Sequence, residues 1–195
     1  MIRTIVFAFS LLCNVLLFLL PAQEYCKYKR EGDCIEERSV KVSGKRLADF
    51  LMDLRPASVK KLDNLFIYGK LENPEDYSEI ADLPIEDLTF RKTQLEKVPD
   101  WVYSIENLEK LDLGDNYIQE LSPSLCSLSK LRELILWVND IYLLPFCVNE
   151  MVELRTIDMT GIKMNEANQR NLSNSFRAVK FLFSEPCMCN FQDQP

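Results

Sequence analysis

Apolar residues recur along this chain with a period of 23 residues, and that spacing restricts the fold more than any other feature. From Leu108 the chain reads LEKLDLGDNYIQELSPSLCSLSK, and from Leu131 it reads LRELILWVNDIYLLPFCVNEMVE. Leu111, Leu113, Asn116, Ile118, Leu121, Leu125 and Leu128 return as Leu134, Leu136, Asn139, Ile141, Leu144, Val148 and Met151. One period earlier, from Ile85, the same slots hold Leu88, Phe90, Leu95, Val98, Val102 and Ile105. Fainter copies start at Leu62, with Leu65 and Ile67, and at Leu154, with Ile157 and Met159. Self-similarity at such a period is the signature of a solenoid, in which one unit cannot bury its own apolar residues and its neighbours supply the cover.

The shared pattern is LxxLxLxxNxL, and by it residues 62–183 resemble the leucine-rich repeat family. The Val98-Pro99 and Leu144-Pro145 steps resemble the short-repeat subclass common among bacterial proteins. The resemblance implies an α/β solenoid: a short horseshoe with a parallel β-sheet on its concave face and repeats starting at 62, 85, 108, 131 and 154. Side chains alternate across a strand, so Leu111 and Leu113 point inward and Asp112 outward. The turn residues Asn116 and Asn139 are expected to hydrogen-bond backbone groups inside the bend. Lys70, Thr93 and Ile162 occupy that slot elsewhere, which predicts less regular turns toward the ends.

An open solenoid exposes its terminal cores and needs caps. Residues 23–61 read as the N-terminal cap, with Val40 and Val42 in a strand and Lys45 to Leu54 as a helix. Leu47, Phe50, Leu51 and Leu54 share one face of that helix. At the other end, Asn165 to Phe176 reads as a helix, and Val179, Phe181 and Phe183 alternate as a closing strand before the polar tail 184–195.

Residues 1–22 read as a signal peptide: Arg3, an apolar run from Ile5 to Leu20, then Pro21-Ala22, with cleavage expected after Ala22. The alternative is an uncleaved anchor, although the run is short for a full span. Cys13 lies inside the run and reads as an ordinary apolar residue. Beyond it stand Cys26, Cys34, Cys126, Cys147, Cys187 and Cys189, an even set that in an exported chain predicts disulfides. Cys26 and Cys34 are the natural local pair, and Cys187 with Cys189 are expected to staple the C-terminal cap. The expected location is outside the cytoplasm: secreted, periplasmic or at the cell surface.

The formal charge is −7, with 30 acidic against 23 basic side chains and no basic run, which disfavours nucleic-acid binding. There is no histidine, so the commonest general base and zinc ligand is missing. No phosphate loop, nucleophile elbow or paired metal motif is present. A non-enzyme without metal, cofactor or small-molecule substrate is expected. Asn171-Leu172-Ser173 is a glycosylation sequon, meaningful only in a eukaryotic secretory pathway.

The resemblance implies recognition of another protein on the inner sheet. Alternation sets three outward columns: Asn64, Asp87, Lys110, Glu133 and Thr156; Phe66, Thr89, Asp112, Ile135 and Asp158; Tyr68, Arg91, Gly114, Trp137 and Thr160. The candidate partner-binding residues are Phe66, Tyr68, Thr89, Arg91, Lys110, Asp112, Ile135, Trp137 and Asp158. Tyr68, Arg91 and Trp137 lead, because aromatic residues and arginine dominate binding hot spots. The competing readings are that the caps fold over these groups, that the chain is a self-associating structural envelope protein, or that the solenoid scaffolds an enzyme.

Overall fold

Strands of three to five residues lie side by side in chain order, because each coil places its LxL segment one layer beyond the last. The computed structural model describes residues 39–54, 59 and 62–188. The leader, Cys26, Cys34, Cys189 and most of the polar tail lie outside the described residues. The strands are β1 (Ser39–Ser43), β2 (Asn64–Tyr68), β3 (Asp87–Arg91), β4 (Lys110–Asp112), β5 (Glu133–Ile135), β6 (Thr156–Met159) and β7 (Lys180–Phe183). They form one seven-stranded sheet of order β1 to β7, parallel throughout. The register places Leu65, Leu88, Leu111, Leu134, Ile157 and Phe181 in one inward row. Leu65, Leu88, Leu111, Leu134 and Ile157 are 0–1% exposed, and each contributes about 1.5–3 kcal/mol on leaving water.

Short 3₁₀ turns return the chain on the outer side: Pro74–Asp82, Asp100–Ser104, Pro123–Ser127 and Phe146–Glu150. Pro99 and Pro145 cap two of them, on the side where no strand ladder asks for an N–H. Val102, Leu125 and Val148 turn inward from them to close the core. The chain leaves the sheet at a left-handed residue in every coil: Gly69 (φ 72°), Lys92 (54°), Asp115 (59°), Val138 (51°) and Gly161 (74°). Glycine accepts this conformation freely; a β-branched residue does not. Replacing Val138 by Gly is therefore expected to stabilise the fold by about 1 kcal/mol, the left-handed penalty less the added chain entropy. Urea denaturation checks it.

One residue past that corner, the asparagines bond across coils. Asn116 Oδ1 accepts from the Thr93 N–H (3.0 Å), the Thr93 hydroxyl (2.8 Å) and the Leu95 N–H (3.3 Å). Its Nδ2 donates to the carbonyls of Phe90, Leu113 and Gly114 at 3.0, 2.9 and 3.3 Å. Asn139 repeats the scheme with fewer partners: Oδ1 takes the Ile118 N–H at 2.9 Å, and Nδ2 donates to Leu113 and Leu136 at 2.9 and 3.1 Å. Thr93, standing in the asparagine slot of its own coil, is fully buried and joins this network rather than breaking the turn.

Both ends are closed. Strand β1 pairs with β2, and helix α1 (Leu47–Leu54) turns Leu47, Leu51 and Leu54 onto the first coil at 0–2% exposure. The expected start of this helix at Lys45 is a 3₁₀ turn, Gly44–Arg46, that leads into it. Helix α2 (Glu166–Ser175) begins at Asn165, whose side chain caps the Asn168 N–H at 2.9 Å. Phe176 beside it meets Phe181, which stacks on Phe183 with centroids 5.4 Å apart. Cys126 and Cys147 are disulfide-bonded across consecutive outer turns, and Cys187 is disulfide-bonded as well. Among the described residues, no helix is long and apolar enough to cross a membrane.

Candidate functional site: the open face of the sheet

The register builds the first and central outward columns as continuous rows of neighbouring side chains. The central row runs Lys41, Phe66, Thr89, Asp112, Ile135, Asp158 and Leu182. Tyr68 sits next to Arg91 in the following row. Phe66, Tyr68, Thr89, Arg91, Lys110, Trp137 and Asp158 are half-buried.

A three-part cluster occupies the middle of this face. Arg91 Nη2 donates to Asp112 Oδ2 at 2.6 Å, and the Arg91 guanidinium lies over the Trp137 ring, 5.1 Å from its centroid. Asp112 Oδ1 accepts the Gly114 N–H at 2.9 Å. Gly114 is what allows this arrangement: a Cβ there would lie 2.0 Å from Trp137 Nε1, so the indole lies flat where any side chain would displace it. Two expectations of exposure are corrected here. Asp112 is only 3% exposed and Ile135 only 9%. The arginine and the turn beyond β4 take up the Asp112 carboxylate, and Ile135 sits in the row beside it. Asp158 has the same local bond, its Oδ1 accepting the Thr160 N–H at 2.9 Å.

A second cluster lies toward the N-terminal end. Lys41 Nζ stands 5.0 Å from the Phe66 ring centroid and 5.3 Å from that of Tyr68, and the two rings are 6.3 Å apart. Lys41 was absent from the sequence-based candidates, although alternation between Val40 and Val42 already turns it outward onto this face. Cation–π contact of this kind attracts each ring by about 0.5–1 kcal/mol at an exposed site. The candidates thus gather into two groups, Phe66–Tyr68–Lys41 and Arg91–Asp112–Trp137, joined by the Tyr68–Arg91 pairing. Thr89 lies between them, and Asp158 stands apart on β6.

The first row carries alternating charge, with Lys110 Nζ 2.7 Å from Glu133 Oε2. Beside them, burial pushes the Asp87 carboxyl above its ordinary range; Lys110 pulls it back, while Glu86, Glu109 and Glu133 add to the rise. The folded state therefore holds this proton more tightly than the unfolded chain. The stability the group supplies is full below its unfolded pKa and falls as pH rises through the folded one. Asp87→Asn is expected to raise the melting midpoint at neutral pH and to leave it unchanged in acid; thermal melts at both conditions check this. Among the described residues, no group of three or more potential metal-ligating side chains is present.

No protein-family model matches the chain, and no curated protein matches it by sequence. A solved leucine-rich repeat protein of Leptospira interrogans is similar in structure, with a TM-score of 0.53 and 20% identity over 65% of this chain. The match covers 31% of that protein, so this chain spans about a third of its neighbour's length. Parallel strands in one open sheet, 3₁₀ returns and the asparagine turns agree with that likeness, and the fold is a leucine-rich repeat solenoid.

Proposed function

We propose that this chain is an exported protein-binding module of the short-repeat type, which takes its partner on the concave sheet face and catalyses no reaction. The observation that carries the reading is the run Phe66, Tyr68, Arg91 and Trp137: large, half-buried groups already in contact with Lys41, Asp112 and one another. Side chains held in place before binding lose little freedom on binding, and aromatic and arginine groups in that condition make effective anchors. The Cys126–Cys147 disulfide favours an oxidising compartment, in keeping with the apolar leader. The acidic charge of the chain disfavours nucleic acid as the partner.

A photo-crosslinking amino acid at Thr89, between the two aromatic groups, tests the proposal. Irradiation in the native envelope or host extract is expected to yield one defined adduct with a second protein. The same group at Ser129, on the outer side, is expected to yield none. Equal labelling from both positions, or none from Thr89, contradicts it.

A further inference from the structure

The coils serve as controls for one another. The first residue of the outer turn is Asp100, Pro123 and Phe146 in three successive coils. Three residues earlier the slot holds Lys97, Glu120 and Leu143, and the slot before that Glu96, Gln119 and Tyr142. In the last of these coils all three have become apolar or aromatic. Tyr142 packs partly against the core, but the core does not require Leu143 or Phe146, because Ile141, Val148 and Met151 already fill the inward slots there. Leu143 is 80% exposed and Phe146 81%. Apolar groups standing in water three residues apart, where the equivalent positions are largely charged or polar, mark a surface that another molecule covers.

Leu143 borders a groove of about 630 Å³ on the flank of the solenoid, away from the sheet face. Leu121, Tyr142, Leu144 and Pro145 supply its apolar wall. Its rim carries Glu96 and Glu120 against the single cation Lys97, on a chain whose overall charge is −7. An anionic bilayer and a second acidic copy both meet like charge at this rim, whereas a cationic chain meets its complement. We infer that the flank docks a basic amphipathic peptide segment of another protein. An apolar side chain of that segment enters the groove between Leu121, Tyr142 and Leu143, and a flanking lysine or arginine faces Glu96 and Glu120. This surface is separate from the open sheet face, so neither assignment depends on the other.

The probe is a fluorescein-labelled helical peptide of leucine and lysine, with a second peptide in which glutamate replaces lysine, read by anisotropy against the full chain. The double variant Leu143→Lys, Phe146→Asp installs the residues of the coil two periods earlier and leaves net charge unchanged. Val152→Glu is the control, since Val152 is 77% exposed but does not line the groove. The Lys/Leu peptide is expected to bind wild type and Val152→Glu alike, and the double variant at least about tenfold more weakly. The Glu/Leu peptide is expected not to bind, and circular dichroism is expected to show all variants folded. Equal binding to the double variant, comparable binding of the Glu/Leu peptide, or no binding to wild type overturns the inference. So does loss of binding in Val152→Glu. Light scattering that shows self-association abolished by the double variant overturns it in favour of a second copy. Phe146-dependent uptake on phosphatidylglycerol vesicles overturns it in favour of a membrane.

Discussion

Alanine at position 116 is expected to lower the unfolding free energy by about 3–5 kcal/mol, since each buried group left unpaired costs about 1–3 kcal/mol. The Asn116 side chain is 6% exposed and bridges two coils. Without it, the N–H groups of Thr93 and Leu95 lose the acceptor Oδ1, and the Phe90 and Leu113 carbonyls lose a donor. Leu113 keeps a bond from Asn139, so its carbonyl is not orphaned, and the two N–H groups carry most of the loss. Asn139→Ala is expected to cost less, about 1–3 kcal/mol, because its Oδ1 accepts from the Ile118 N–H rather than from two backbone donors and a hydroxyl. Urea denaturation should place the Asn116→Ala midpoint below that of Asn139→Ala, with the slope unchanged in both. The reverse order would show that the turn bonds are not what fixes neighbouring coils.

Removal of the outer staple is the second large effect. Cys126 and Cys147 are 21 residues apart in sequence and join adjacent 3₁₀ turns. A loop of that length, freed in the unfolded chain, is worth about 3 kcal/mol by chain entropy. Both cysteines are half-buried, and only Cys126 packs against the core, so serine at both positions disturbs it little. The double serine variant is expected to keep its far-ultraviolet spectrum, to unfold at lower denaturant, and to match wild type when both are treated with reductant, which also cleaves the bond of Cys187. A variant as stable as the oxidised wild type would show that the bond closes a loop the unfolded chain already keeps closed.

The interval of 23 residues made the sheet legible before any coordinates. It placed Leu88, Leu111 and Leu134 in one row, and the strands pair in that register. Exposure was less legible, for a definite reason. Period tells which way a side chain faces but not what lies over it. Asp112 faces the open side as expected, yet Arg91 and the Gly114 amide use it fully, and Trp137 lies flat only because Gly114 has no side chain. The left-handed corner was visible only in part, through Gly69 and Gly161, because Lys92, Asp115 and Val138 at the same position carry no glycine signal. The staple escaped the repeat for a similar reason: its cysteines fall in different slots of their coils, 21 rather than 23 residues apart. Lys41 is legible only from alternation within β1, because it precedes the first 23-residue repeat and has no slot in it.

The proposed recognition role of the open sheet face is tested most directly by the affinity of the protein cross-linked through Thr89, measured by calorimetry for wild type and for Tyr68→Ala. Tyr68 is the better choice than Trp137, whose loss would also uncover the Arg91–Asp112 pair and confound binding with local structure. The account predicts a dissociation constant raised about thirtyfold, the equivalent of about 2 kcal/mol for an anchoring aromatic group, with the melting midpoint unmoved. An unchanged affinity in a folded variant would contradict it.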